Sequence, residues 1–368
     1  MTCAGLIAVA AVGMLGFTPS AGWAARGQSL NLTAGIASWY DNNLLQYSDP
    51  QIAQFESGLF PNRFSIETRD DLTFNPTLEL TWELDRGRGR RHDLRVRGEG
   101  EFHDRDRTAD MRSASLAWRE YFGGGQRLLL RGYHLPSYYL RQLRDVTTGF
   151  YERAQFGLTI GEASWSQALR AGIRLAASCQ FERRTYSPRF PERTSDTSQG
   201  ELTLGFDRLP HRGHLEIQGA YRSSLADGRN LAGGAASVLA DPSYHGWWGG
   251  ANGRIEFLRR GSTRIGGDLS YRYERRDYDS NRPADKSHIG RHDSEHVVEV
   301  GLRAQLRPHW TIRGFDQYDS NQASYGQTVV LTNDPGSYRQ NRVGLELAWS
   351  GDVWKQARSP AIDEQGGK

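Results

Sequence analysis

The sequence predicts an all-β fold: a transmembrane antiparallel up-and-down β-barrel of about fourteen strands. Three observations carry this. From Leu30 onward, apolar and polar residues alternate with period two, the mark of strands with one carbon face and one wet face. Connections alternate between short and long, as they do when tight turns collect at one end of a cylinder and loops at the other. Aromatic residues gather at strand ends, where amphipathic rings favour a membrane interface. A soluble barrel of that size would have an interior too wide for side chains to fill. With carbon facing lipid and charge facing a wet lumen, the same pattern accounts for a mean hydropathy of -0.66, and closure leaves no open strand edge.

In chain order, residues 1–24 have the layout of a cleavable secretory signal. An apolar stretch from Ala4 to Phe17 is followed by small residues, with cleavage fitting best after Ala24. No Lys or Arg precedes the apolar stretch. Cys3 would leave with the signal, so Cys179 alone remains and no disulfide framework can form. The 368 residues carry 46 basic and 43 acidic side chains, a formal net charge of +3 that does not suggest a nucleic-acid binder. The barrel is expected over 25–350, with 351–368 a disordered periplasmic tail.

The expected strands are 30–40, 64–84, 92–104, 110–122, 126–140, 149–161, 164–182, 198–208, 213–224, 245–258, 262–276, 295–306, 309–318 and 338–349. In the third, Leu94, Val96, Gly98 and Phe102 alternate with Arg95, Arg97, Glu99 and Glu101. Short turns are expected at GGGQ (123–126), GEAS (161–164), LPHRG (209–213), RRGS (259–262) and RPH (307–309), and longer links at 41–63, 183–197, 225–244, 277–294 and 319–337. Trp82, Trp118, Trp165, Trp310 and Trp349 then fall at short-turn ends, forming a periplasmic aromatic belt. WYDNN (39–43), DYDSN (277–281) and QYDSN (317–321) are expected to mark strand exits at the outer rim, because Asp and Asn bond their own backbone where a ladder stops. DYDSN lacks the sixth-position Gly and twelfth-position Glu of a calcium loop, which favours the turn reading.

This chain resembles the uncharacterised outer-membrane β-barrel porin-like group, in which a Y-D-x-N phrase follows the first strand, here within WYDNN. It is also similar to the barrels of export and surface-delivery proteins. The resemblance spans about 30–349, through architecture more than motif. It implies an integral outer-membrane barrel in a Gram-negative envelope, placed in lipid by the barrel-insertion machinery. Two departures stand out. No helical repeats precede the barrel, as they do in exporters, and a polar segment follows Trp349 where an aromatic terminus is usual.

Parity places Arg95, Arg97, Glu99, Glu101, Arg131, Arg153, Arg170, Arg174, Arg222, Arg254, Arg272, Arg303, Arg313 and Arg342 on the lumen wall. Such rings tune ion preference, or pair across strands and fill the lumen; the two readings coexist. The basic excess suggests a mild preference for anions. In the first long link, Leu44, Leu45, Ile52, Phe55, Leu59 and Phe60 are too apolar for a solvated segment and suggest a constriction or lid, or else a short amphipathic helix on the rim. His288, His292 and His296 invite a metal reading that Gly290 and the neighbouring strand argue against. His103 with Asp104, Asp106 and Asp110 is the best catalytic cluster, but no serine partners it. The expectation is a passive channel for small hydrophilic solutes with no cofactor. An exit pore for polysaccharide or lipoprotein and a plugged structural barrel are the alternatives.

Overall fold

The computed structural model describes residues 27–356, apart from 88–89, 146–147, 171, 231–239, 284 and 327–335. The expected signal segment lies outside the described residues. Fourteen strands follow one another: β1 (Gly27–Asp41), β2 (Asp71–Gly87), β3 (Arg90–His103), β4 (Met111–Gly123), β5 (Gln126–Arg144), β6 (Tyr151–Arg170), β7 (Ile173–Tyr186), β8 (Ser195–Leu209), β9 (Gly213–Ala226), β10 (Tyr244–Arg260), β11 (Thr263–Tyr278), β12 (Arg291–Arg307), β13 (Trp310–Tyr325) and β14 (Tyr338–Gln356). Each pairs antiparallel with its chain neighbours, and β14 returns to β1, closing the barrel. The seam runs from Gln28 opposite Gln356 to Asp41 opposite Arg342. No helix among the described residues is long and apolar enough to cross a membrane; the crossing elements are strands.

Orientation follows from exposure. Leu302 and Leu345 are each 63 % exposed on the outer wall, and Leu78, Leu116, Leu202 and Ile217 stand out in the same way. In water each such side chain would forgo on the order of 2 kcal/mol of burial, so a wall made of them suits lipid. This is the transmembrane, antiparallel up-and-down barrel of the expected kind.

The short turns depend on backbone that only glycine adopts cheaply. Gly124 and Gly125 between β4 and β5 have φ of 61° and 81°, and Gly172 between β6 and β7 has φ of 92°. That last turn corrects one expectation. GEAS (161–164) lies inside β6, where Glu162 faces Arg131 of β5 and Gln180 of β7. Its single Gly resembled a break, yet Ile160, Glu162 and Ser164 simply continue the alternation.

Three further boundaries differ by more than four residues. β2 begins at Asp71 rather than 64, because 64–70 belongs to the loop packing described below. β13 continues to Tyr325, so QYDSN lies within the strand and Asn321 still pairs with Tyr338. β14 runs through Gly351 to Gln356, so the barrel extends six residues past its expected end at 350; residues 357–368 lie outside the described residues. Trp349 is therefore interior to β14, but it pairs with Trp310, the first residue of β13, at the inner end.

Candidate functional site: the charged interior and its outer chamber

Ladder register turns the charged residues of adjacent strands into the barrel and lets them meet. Arg95 of β3 reaches Glu79 of β2 at 3.3 Å, Arg97 bonds Glu99 at 2.8 Å, and Arg131 meets Glu162 at 2.5 Å. Other contacts skip a strand. Arg174 of β7 donates to Glu216 of β9 at 2.6 Å. Arg313 of β13 serves three carboxylates, bonding Asp268 of β11 at 2.5 Å, Glu346 at 3.1 Å and also Glu299. Arg254 stands opposite Asp268, and Arg303 opposite Arg313. Glu101 lies 3.6 Å from His103.

Two residues assigned to the lumen by parity stand elsewhere. Arg153 is an odd number of residues from Glu162 on the uninterrupted β6, so it projects to the other face. It stacks 5.1 Å from the Tyr139 ring and donates to the Thr108 carbonyl at 3.2 Å. Arg170 lies past a bulge between Ala168 and Arg170, pairs with Ile173 and is exposed at the inner turn. An internal bulge shifts side-chain parity, and no composition signal announced this one.

Toward the outer end the wall encloses a chamber of 470 Å³. Arg222 bonds Glu274 at 3.3 Å, Arg272 and Arg276 share Glu295, and Arg291 grips Asp293 with two bonds of 2.7 Å. Arg184 lies against Glu182, and Arg193 is 3.9 Å from Glu192. Arg141, at the top of β5, differs: its bonds go to the carbonyls of Leu45 at 3.0 Å and Gln46 at 3.4 Å, and its guanidinium lies 5.4 Å from the Tyr47 ring. Seven guanidinium groups thus line one chamber. The sequence reading found only Arg222 and Arg272 of these: Arg141, Arg184, Arg193 and Arg291 sit at strand tops or in loops outside its boundaries, and Arg276 ends the expected strand 262–276 without having been assigned to the lumen.

The β1–β2 loop folds across to β5 instead of projecting freely. Leu44 and Leu45 are buried with Tyr47, Phe64, Ile66, Ala109 and Tyr139, and Ile52 and Phe55 pack against them. Tyr47 meets Phe64 edge-on at 5.3 Å, and Ser65 and Tyr139 share a hydroxyl bond of 2.5 Å. Burial pushes the Tyr47 phenol above its ordinary range. Helix α1 (Asp49–Glu56) forms within the loop; Gln51 reaches back to accept the Ser48 N–H at 3.0 Å, as half of a capping box, and Pro50 suits the first turn. Leu59 and Phe60, expected in the same cluster, are exposed at 55 % and 56 %.

The belt tryptophans stand on the outer wall. Trp82, Trp165 and Trp310 are about two-fifths exposed, Trp118 stacks on His92, and Trp349 tilts against His309. The three spaced histidines part company. His288 bonds Asp285 at 2.8 Å, His292 bonds Asp277 at 2.5 Å, and His296 meets the Tyr271 hydroxyl at 3.0 Å. Among the described residues no group of His, Cys, Asp and Glu is arranged to hold a metal ion. Asp277 and Asp279 of DYDSN turn to His292 and His245, away from a shared centre. His103 contacts Glu101 and Asp110, while Asp106 accepts the Glu67 N–H at 2.8 Å.

No protein-family model matches the sequence, and no curated protein matches it. Among solved structures, the chain is similar to a bacterial polysaccharide outer membrane secretin (8 % identity, 88 % of this chain and 98 % of that one, TM-score 0.46). It is also similar to the outer membrane channel DcaP of Acinetobacter baumannii (12 % identity, 88 % and 98 %, TM-score 0.45) and to an anion-selective porin from Comamonas acidovorans (11 % identity, 87 % and 99 %, TM-score 0.40). At these values the reading rests on the chain's own barrel. Its class is defined by that barrel: a closed transmembrane cylinder with an ionic interior, the architecture that the porin-like resemblance implied.

Proposed function

We propose that this protein is an outer-membrane channel through which small hydrophilic solutes diffuse passively, with a preference for anions. The observation that carries the reading is the inverted cylinder: aliphatic side chains face outward, and arginine–carboxylate ladders face inward around an arginine-rich chamber. A lining with surplus positive charge concentrates anions and disfavours cations. The β1–β2 loop, seated on β5 at the outer end, acts as the constriction or lid. Export through a cleaved signal, insertion by the outer-membrane assembly machinery and a passive, non-catalytic role complete the proposal.

The test is conductance. Refolded protein in planar bilayers, held between unequal potassium chloride concentrations, is expected to give discrete openings with a reversal potential on the chloride side. A cation-side reversal removes the anion preference, and absence of any openings, with and without the loop, favours a plugged structural barrel.

A further inference from the structure

Resting on the channel reading, and deepening it, we infer that the outer chamber is a binding site for a small polyol bearing an oxyanion, a sugar acid or sugar phosphate, with Arg141 as its specificity-determining residue. The argument starts from charge. Of the residues that line the chamber, three carboxylates, Glu274, Asp293 and Glu295, stand against seven guanidinium groups, while Glu182, Glu192, Asp285 and Asp319 lie behind the wall against Arg184, Arg193, His288 and Tyr338. The lining itself thus carries more positive than negative charge in a partly enclosed space, where charges interact more strongly than in open water.

The surplus has an address. Among the described residues Arg141 forms no ion pair and spends its hydrogen bonds on the neutral carbonyls of Leu45 and Gln46. Among the described residues Arg193 has only Glu192, at 3.9 Å. Charge-assisted bonds to an oxyanion are about twice as strong as bonds to neutral carbonyls, and a guanidinium presents a planar fork that fits carboxylate or phosphate. An entering oxyanion can therefore take Arg141 from the loop. The phenols of Tyr186 and Tyr244 line the same space, offering hydroxyl partners and ring faces to a polyol. At 470 Å³ the chamber has the size of sites that hold small ligands.

The experiment is calorimetric titration of the refolded full chain in detergent at low salt with glucuronate, glucose 6-phosphate and glucose. Saturable binding of either or both anions, with glucose silent, supports the site, and the two anion arms separate carboxylate from phosphate recognition. Arg141→Met should weaken that binding about tenfold or more, whereas Arg183→Ala, on the outer wall against Asp196, should leave it unchanged. Circular dichroism of both variants verifies the barrel. Glucose binding as well as the anions, no binding at all, or an Arg141→Met protein with parental affinity overturns the inference. Chloride-selective openings without ligand binding would sink the site and spare the channel; binding without openings would do the reverse.

Discussion

Asp41 and Arg342 lock the barrel seam: the last residue of β1 accepts the Arg342 Nε–H of β14 at 2.8 Å across the junction of first and last strands. Asp41 is fully buried and also accepts the Gln340 side chain at 2.7 Å and the Asn43 backbone N–H at 2.9 Å. The aspartate of WYDNN thus both starts a turn and joins the first strand to the last. Asp41→Ala strips three donors of their acceptor at once. The expected cost is about 2–4 kcal/mol, read as a lower thermal midpoint in detergent; a midpoint within error of the parent would contradict it.

The loop cluster makes a separate prediction. Phe64 is buried between Tyr47 and Phe55, so Phe64→Ala should cost about 3 kcal/mol locally and loosen the loop without unfolding the wall. Single-channel traces should become noisier and mean conductance should rise. Deleting 49–63 should raise it further. Unchanged conductance in both proteins would mean that the loop does not narrow the path.

How much was legible follows from which signal each feature uses. The strand count, closure and two-faced wall came from period-two alternation, which is local and repeated fourteen times. The β6–β7 turn was missed because Gly161 looked like a break, while the turn actually lies at Gly172. Arg153 and Arg170 were misplaced by running parity through a strand whose start and end had been assigned wrongly. Leu44, Leu45, Ile52 and Phe55 stood out as apolar residues in a loop, but their partner Tyr139 comes from a distant strand. Arg141 was invisible for the same reason: its meaning depends on Leu45 and Gln46, which lie 96 and 95 residues away.

A pH effect is expected at the β11–β12 loop. His288 is buried, its Nδ1 against Asp285 and its ring 5.2 Å from Tyr278. Burial, assisted by nearby Arg193 and Arg291, holds its pKa below the ordinary 6.5 despite Asp285. A depressed folded-state pKa means that the contribution to stability is whole above 6.5 and is lost as pH falls through the folded value. Asp285 resists burial through the bonds from His288, the Asp241 N–H and Ser280, and its pKa lies below 3.8, so it does not titrate in that window. Amide protection in 285–291, taken relative to the intrinsic exchange rate at each pH, should therefore fall between pH 7 and 5. His288→Gln should flatten that dependence; a wild-type profile in the variant would refute the assignment.

The last prediction concerns Arg313, whose single guanidinium holds Asp268, Glu299 and Glu346 from three different strands. Arg313→Gln removes one positive charge and leaves three carboxylates facing one another across β11, β12 and β14. Like charges at that spacing repel, and the interior there is neither dry nor fully hydrated, so a loss of about 1–3 kcal/mol is expected. The functional consequence separates two views of the lining. If the ladder only braces the wall, Arg313→Gln lowers the thermal midpoint and leaves the reversal potential in place. If solutes pass along this wall, the loss of one positive charge makes the cluster more negative, and the reversal potential must move toward the cation side in the same bilayers. Glu346→Gln, which removes one of the three acceptors and keeps Arg313 paired, should move it the opposite way. Opposite shifts from the two variants would place the conduction path beside Arg313, and no shift from either would place it elsewhere.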